Sequence, residues 1–306
     1  MKFSIYQESR RGARKYNQDR IGYSYSRDAL LLVVADGMGG HLHGEVASQI
    51  TIELLAELFQ KRARPVVPAP LAFLQEALTK AHDAILNYST NHNLLETPRT
   101  TCIACLVQDS TAYWAHAGDS RLYHFRDGKI LSHTRDHSKV QQMVENGLLT
   151  EAEAMRHPER NKIYSCLGGM IPPEIEFGGK VPLNEGDSLV LCTDGFWGPL
   201  PADEMCAFFG NYPVLYALPQ LMDRAEMRGG KHGDNLSVLG ITWLEEDTVA
   251  DTKNAVHTKT LPLDGFTTRV KELDADRTLK DDKGVSEMDI EAAIEEIKAT
   301  IAKYSK

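Results

Sequence analysis

The chain has 306 residues, of which 42% are hydrophobic and 25% charged, and its formal net charge is −9. That balance belongs to a soluble globular protein of one large or two small domains, and the negative charge argues against nonspecific nucleic-acid binding. No apolar run approaches the roughly 18 residues of a membrane span, Met1 to Glu8 hold no signal-peptide core, and five cysteines do not look like a disulfide framework in a chain this long, so a cytoplasmic protein that touches neither membrane nor nucleic acid is expected.

The first segment with unusual chemistry is Gly12-Ala13-Arg14-Lys15-Tyr16-Asn17-Gln18-Asp19-Arg20, read as a loop or strand edge. Arg14 there is either a solvated charge or a phosphate holder using paired hydrogen bonds. Leu30 to Ala35 then reads as a strand buried on both faces, ending in Asp36 and the run Gly37-Met38-Gly39-Gly40-His41. A carboxylate at the end of such a strand is costly unless something pairs with it, and a metal ion is the common partner. Glycines beside it let backbone approach a ligand closely.

Gly44 to Phe59 is predicted as an amphipathic helix with Val46, Ile50, Leu54, Leu55 and Leu58 on its inner face. Arg64 to Pro70 breaks it, and Leu71 to Tyr88 is a second helix with Leu74, Leu78, Ala81 and Ile85 inward. Thr100 to Val107, Thr111 to Ala117 and Arg121 to Phe125 follow as strands, with a hairpin turn at Asp127-Gly128-Lys129. This spacing points to antiparallel sheets covered by helices, an α+β arrangement, rather than to alternating βαβ units. Cys102 and Cys105 lie three apart in one strand and so face opposite ways, which does not favour a zinc or redox pair.

Asp136 to Gly168 is a polar excursion, either a mobile lid or plain surface. It holds a short helix around Val140, Met143 and Val144 that ends at Gly147, and a capped start at Thr150-Glu151-Ala152-Glu153. Leu189 to Cys192 is another strand, followed by Thr193-Asp194-Gly195. Helices at Pro201 to Phe209 and Tyr212 to Arg228 come next. The glycine-rich loop Arg228 to Gly233 lacks the ending of a P-loop and leads into Gly233-Asp234-Asn235 and a last strand to about Trp243.

From Glu245 the composition shifts, with 15 acidic against 10 basic residues. Residues 245–285 read as a mostly extended linker. Residues 286–306 read as a helix with a heptad-spaced seam of Ile290, Ile294, Ile297 and Ile301. The seam would dock on its own domain, on a second copy or on another protein, because a helix this short is marginal alone.

Four acids, Asp36, Asp119, Asp194 and Asp234, thus stand beside strand ends far apart in sequence. Any one of them could be a turn residue. Together they point to one oxygen-ligand site for hard divalent cations.

In the stretches Gly12 to Asp19, Val33 to Ser48, Ala117 to Arg121, Cys192 to Gly195 and Gly233 to Asn235, the chain resembles the metal-dependent type 2C serine/threonine protein phosphatases in their bacterial form. The resemblance covers residues 1–244, with residues 136–168 as the flap. It implies a two-sheet antiparallel β-sandwich flanked by helices and two Mn²⁺ or Mg²⁺ ions. Asp36 would bridge the ions, with the Gly37 carbonyl, Asp194 and Asp234 as further ligands. Asp119 and Asp194 would hold a third, weaker ion. Arg14 would grip the substrate phosphate, and Asp19 would orient water. A hydroxide activated by the ions would attack phosphoserine or phosphothreonine without a phospho-enzyme. Phosphorylated proteins are the implied substrates, and a cognate serine/threonine kinase an implied partner.

Two positions depart from the family pattern. Gln18 stands where many members carry Glu, which alters a water-mediated contact to an ion. Met38 stands where eukaryotic members carry a histidine proposed as general acid, leaving ion-activated water as the first choice for proton delivery and His41 as the alternative. His41 with His43 is a poor zinc pair beside oxygen-rich motifs. Two other readings fit the same sequence: a non-catalytic scaffold of this fold that acts through its tail, and a hydrolase of small phosphate esters.

Overall fold

The computed structural model describes residues 1–38, 43–244, 257–260 and 268–274. The chain begins with three antiparallel strands, β1 (Lys2–Arg10), β2 (Asp19–Tyr25) and β3 (Ala29–Asp36), and two long helices, α1 (Gly44–Arg62) and α2 (Pro70–Asn91). Two hairpins come next, one in each sheet: β4 (Cys102–Gln108) with β5 (Thr111–Ala117), and β6 (Arg121–Arg126) with β7 (Lys129–His133). The excursion carries α3 (Lys139–Glu145) and α4 (Glu151–Ala154). Then come β8 (Glu176–Pro182), β9 (Ser188–Cys192), α5 (Asp194–Trp197), α6 (Ala202–Phe209), α7 (Val214–Gly229) and β10 (Leu236–Leu244). Two more strands, β11 (His257–Thr260) and β12 (Thr268–Asp274), come from the stretch read as linker.

The strands form two antiparallel sheets, ordered β12-β1-β10-β9-β6-β7 and β11-β2-β3-β4-β5-β8. One face of each sheet meets the other, through Phe3, Ile5, Leu30, Leu32, Val34, Leu191 and Leu239. The outer face of the second sheet packs under α1 and α2, through Leu31, Val33, Leu55, Phe59, Leu74 and Leu78. The outer face of the first packs under α5 to α7, through Tyr6, Val190, Phe196, Leu218 and Val238. The alternation along β3, Leu30, Leu32 and Val34 one way and Leu31, Val33 and Ala35 the other, explains its unbroken apolar run. Cys105 and Cys102 divide between the same two layers as expected.

Several elements differ from expectation. Periodicity does not predict strands β1, β2 and β8, because β1 buries Ser4, Gln7, Glu8 and Ser9 and β8 contains Gly178 and Gly179. The buried stripe of α1 runs through Ala47, Ile52, Leu55 and Phe59, with Ile50, Leu54 and Leu58 only partly covered. Small Ala47, Ser48 and Thr51 bring that helix close to the sheet. The stripe of α2 is the expected one. The extended reading of 245–285 is amended at two places: β11 pairs with β2 and β12 with β1, each antiparallel at a sheet edge. A strand flanking a sheet satisfies a row of backbone groups that a linker would leave to water. The segment 286–306 and its isoleucine seam lie outside the described residues. Among the described residues, no helix is long and apolar enough to cross a membrane.

Candidate metal centre and phosphate site

The four acids converge where the two sheets end together. Strands β2 and β3 are paired so that Asp19 stands opposite Asp36. The Asp36 backbone is fixed from β4: its N–H donates to Thr101 Oγ1 (3.2 Å), and its carbonyl accepts from the Thr101 N–H (2.9 Å) and Thr100 Oγ1 (2.8 Å). Gly37 N–H donates to the Gln18 carbonyl at 3.2 Å. A Cβ on Gly37 would lie 2.4 Å from the Gly44 carbonyl oxygen and 2.6 Å from that of Gln18, so only glycine fits this crossing.

Asp194 enters from the other sheet. Thr193, at the end of β9, donates through Oγ1 to Asp19 Oδ2 at 2.9 Å and accepts from the Ser237 N–H at 3.0 Å, tying β9, β10 and β2 together. Asp194 Oδ1 is buried with no hydrogen-bond partner among the described residues. Asp234 accepts from Arg14 Nη2 at 2.6 Å and, through Oδ1, from the Asn235 N–H at 2.8 Å. Asp119 comes just after β5 and is buried.

Electrostatics register the convergence. Burial, then repulsion from Asp19, Asp194, Asp119 and Asp234, holds the Asp36 carboxyl well above the usual carboxylate range. Burial, then Asp119, Asp234 and Asp19, does the same to Asp194. Burial, reinforced by Asp136 and opposed by Arg121, pushes Asp119 up to about 7. Burial raises Asp19 to about 6, against hydrogen bonds from Ser237 and Thr193. Like charges gathered in a desolvated place favour protonation, and a divalent cation removes that pressure. Arg14 is raised by its bond to Asp234, opposed by burial, and further by the charges of Asp234, Asp194 and Asp36.

Sequence reasoning passes over Asn235. Its Nδ2 donates to the Arg11 and Tyr16 carbonyls (2.8 and 2.9 Å), and its Oδ1 accepts from the Gln18 N–H at 2.8 Å. One side chain thus holds the loop bearing Arg14 against the strand that begins beside Asp234. Its place directly after an anticipated acid is the only signal in the sequence. Glu45 is passed over too: Gln18 Nε2 donates to Glu45 Oε2 at 3.1 Å, so a carboxylate from α1 stands next to Gln18. His41 lies outside the described residues.

A second group, His116, His137 and Glu176, brings possible ligand atoms within 4.8 Å of one another. Its hydrogen bonds account for part of the group, while His116 Nδ1 and His137 Nε2 are buried with no hydrogen-bond partner among the described residues. His116 Nε2 is 2.7 Å from the Arg135 carbonyl and donates to it. The Gly118 N–H donates to His137 Nδ1, which leaves the ring proton on Nε2, 3.5 Å from Glu176 Oε2. Arg135 already holds that oxygen at 3.1 Å.

A profile described as Protein phosphatase 2C matches residues 6–229. The chain belongs to the protein phosphatase 2C family. It is 30% identical over 229 residues to the serine/threonine phosphatase stp of Listeria monocytogenes, covering 74% of this chain and 90% of that protein. It is 33% identical over 232 residues to the serine/threonine protein phosphatase PstP of Mycobacterium tuberculosis, covering 76% of this chain and 43% of that one. Among solved structures, the S. agalactiae serine/threonine phosphatase superposes with a TM-score of 0.70 at 29% identity, covering 79% of this chain and 100% of that chain. The PstP catalytic domain in complex with two manganese ions superposes with a TM-score of 0.66 at 30% identity, covering 80% of this chain and 100% of that chain. The two-sheet sandwich flanked by helices is thus the fold of these phosphatase 2C structures.

Proposed function

We propose that this protein removes phosphate from phosphoserine and phosphothreonine in proteins, using two Mn²⁺ or Mg²⁺ ions held by Asp36, Asp194 and Asp234, with Asp119 and Asp194 serving a third, weaker ion. The single observation that carries this reading is the buried, mutually repelling carboxylate set, whose Asp194 Oδ1 has no partner among the described residues. Hard oxygen donors of this kind suit those ions and not zinc on cysteine or histidine. Gly37, pinched between Gln18 and Gly44, can present only backbone there.

When bound, such ions neutralise phosphoryl oxygens and make water acidic enough to act as a nucleophile near neutral pH. The chain's own residues do the rest. Arg14, half exposed, offers a guanidinium at the rim to a phosphate group. Asp19, buried and held by Thr193, keeps a carboxylate in place behind Asp36. Cys102, Cys105 and Cys192 are buried, and burial raises each thiol, so none is placed to take up the phosphoryl group. A cognate kinase is the natural opposing partner. The segment after Leu244 is read as an addition to a catalytic unit that spans residues 1–244.

The experiment is release of phosphate from phosphoserine and phosphothreonine peptides, beside a small aryl phosphate, with Mn²⁺ or with chelator. Metal-dependent turnover with a higher kcat/KM on peptides supports the reading. Turnover confined to the small ester would point to a phosphate-ester hydrolase, and no turnover on either to a scaffold.

A further inference from the structure

We infer that Trp197 is a positioning residue for the weaker ion site, setting the turn that carries Asp119 against the segment that carries Asp194. This rests on the reading that Asp119 and Asp194 share an ion. Trp197 ends α5, three residues after Asp194. Its indole N–H donates to the Asp119 carbonyl at 3.0 Å. One side chain thus joins the backbone of one candidate ligand to the helix begun by the other.

The indole is itself held. The Arg121 guanidinium lies over its ring, with Cζ 3.5 Å from the centroid. Arg121 cannot slide, because Nε and Nη2 bond both oxygens of Asp136 at 2.8 Å and Nη1 donates to the Tyr123 hydroxyl at 2.9 Å. Asp136 is buried, and the Arg121 side chain is nearly so. The resulting stack of Asp136, Arg121 and Trp197 runs from the start of the flap to the Asp119 carbonyl. On its other side the same turn is fixed by Ser120 Oγ, 2.7 Å from Thr101 Oγ1, the hydroxyl that also accepts from the Asp36 N–H. Gly118 closes the turn: with φ at +113° and Thr101 Cβ 2.6 Å from where a Cβ would lie, it admits no larger residue. The turn is also tied to His137, whose N–H donates to the Gly118 carbonyl at 3.0 Å and whose Nδ1 accepts from the Gly118 N–H at 3.3 Å. Of these anchors, the Trp197 bond is the one made by the element that bears Asp194.

An aromatic residue kept merely for packing would need no N–H. Trp197→Phe retains a ring for Arg121 and deletes the donor, so it isolates the proposed role. The test is Mn²⁺ binding to the full-length protein, followed by electron paramagnetic resonance of free Mn²⁺ and by calorimetry, with thermal melting alongside. Trp197→Phe should weaken the weakest class of Mn²⁺ sites roughly three- to tenfold, the worth of one hydrogen bond, leave the tight class unchanged, and lower the melting temperature without ions only by the small amount one hydrogen bond is worth. Arg121→Lys, which keeps the charge but loses the paired bonds to Asp136, should weaken the same class. Asp119→Asn should abolish it. If Asp119→Asn removes the weak class while Trp197→Phe and Arg121→Lys both leave it intact, the inference about Trp197 is overturned. If Asp119→Asn changes nothing, the assignment of Asp119 to an ion fails first and takes this inference with it. A Trp197→Phe protein that loses tight and weak sites together would show a general packing role instead.

Discussion

Arg14 Nη2 lies 2.6 Å from Asp234 Oδ2, so the residue offered to substrate phosphate and one of the residues offered to a cation are partners in the protein itself. On the proposed assignment, a cation at Asp234 would compete with the Arg14 guanidinium for the same carboxylate, and its binding would free Arg14 for an incoming anion. Arg14→Ala should therefore lower kcat/KM on a phosphopeptide by roughly ten- to a hundredfold. Its Mn²⁺ affinity should stay the same or rise. Calorimetry and steady-state kinetics on one preparation check both halves, and a variant that loses ions but keeps its kinetics would reverse the assignment.

Asn235 predicts a different phenotype. Its three hydrogen bonds to the Arg11–Gln18 loop include two to backbone carbonyls. Asn235→Ala should cost about 2–4 kcal/mol of stability, measured by urea unfolding. It should also raise KM for phosphopeptide, because the Arg14 loop loses its anchor.

The raised carboxyls predict how ions and protons exchange. Asp19 at about 6 and Asp119 at about 7 bind protons more tightly in the folded chain than in the unfolded one. Over the range from about 4 to 7 these carboxyls hold extra protons in the native state and make stability without ions fall as pH rises, while His82, His116 and His137, lowered first by burial, act in the opposite sense. Protein stripped with chelator should melt lower at pH 8 than at pH 5.5. Added Mn²⁺ should raise the melting temperature most at the higher pH and release protons near pH 6, visible as a buffer-dependent heat.

Asp187, at the opposite end of β9 from Asp194, behaves in the opposite sense. Burial alone would raise it, but hydrogen bonds from Arg126, His124 and the Asn184 N–H hold it down to about 2. Its stabilisation is complete above the ordinary carboxylate range and is lost as pH falls toward 2. Asp187→Asn should cost about 3 kcal/mol at neutral pH, as expected when one partner of a buried pair is removed. The variant should also lose less stability than the parent between pH 4 and 2. Kinetic constants of any folded Asp187→Asn protein should match the parent.

Truncation after Glu246 tests whether the catalytic unit depends on the two tail strands. Without β11 and β12, β1 still pairs with β10 and β2 with β3, so both sheets persist with new edges. The S. agalactiae phosphatase structure, all of whose chain is covered, matches 79% of this chain. The truncated protein should fold and turn over phosphopeptide, with a lower melting temperature because two strands have become exposed edges. An insoluble or inactive product would make the tail strands part of the core.

The sequence disclosed the site more fully than the sheets that build it. Asp36 and Asp194 were legible because acids placed after apolar strands violate the burial rule, and the violation recurs; Asp234 was legible as the acid between a glycine-rich loop and the last apolar strand. Asp119 was legible only through its glycine and strand neighbours. Strand β1 was hidden because a strand whose Ser4, Gln7, Glu8 and Ser9 are buried carries polar residues where alternation predicts apolar ones. Ser9, for example, finds its partner in Ser237, and periodicity cannot see a partner 228 residues away. Asn235 and Trp197 were missed for the same reason. Each acts through backbone atoms of distant segments, which leave no pattern in the local sequence. The strands within 257–274 were missed because extended, charged sequence looks the same whether water or a sheet edge takes its hydrogen bonds.

The most direct test of the central claim, that the converging aspartates hold the ions that drive dephosphorylation, is to measure Mn²⁺ stoichiometry and phosphopeptide turnover together in the parent, Asp36→Asn and Asp194→Asn. The account predicts at least two Mn²⁺ bound per chain in the parent, loss of tight Mn²⁺ binding in both variants, and turnover reduced by at least about a thousandfold in each (about 4 kcal/mol), with both variants still folded. Wild-type turnover in a folded Asp36→Asn or Asp194→Asn protein at limiting Mn²⁺ would contradict it.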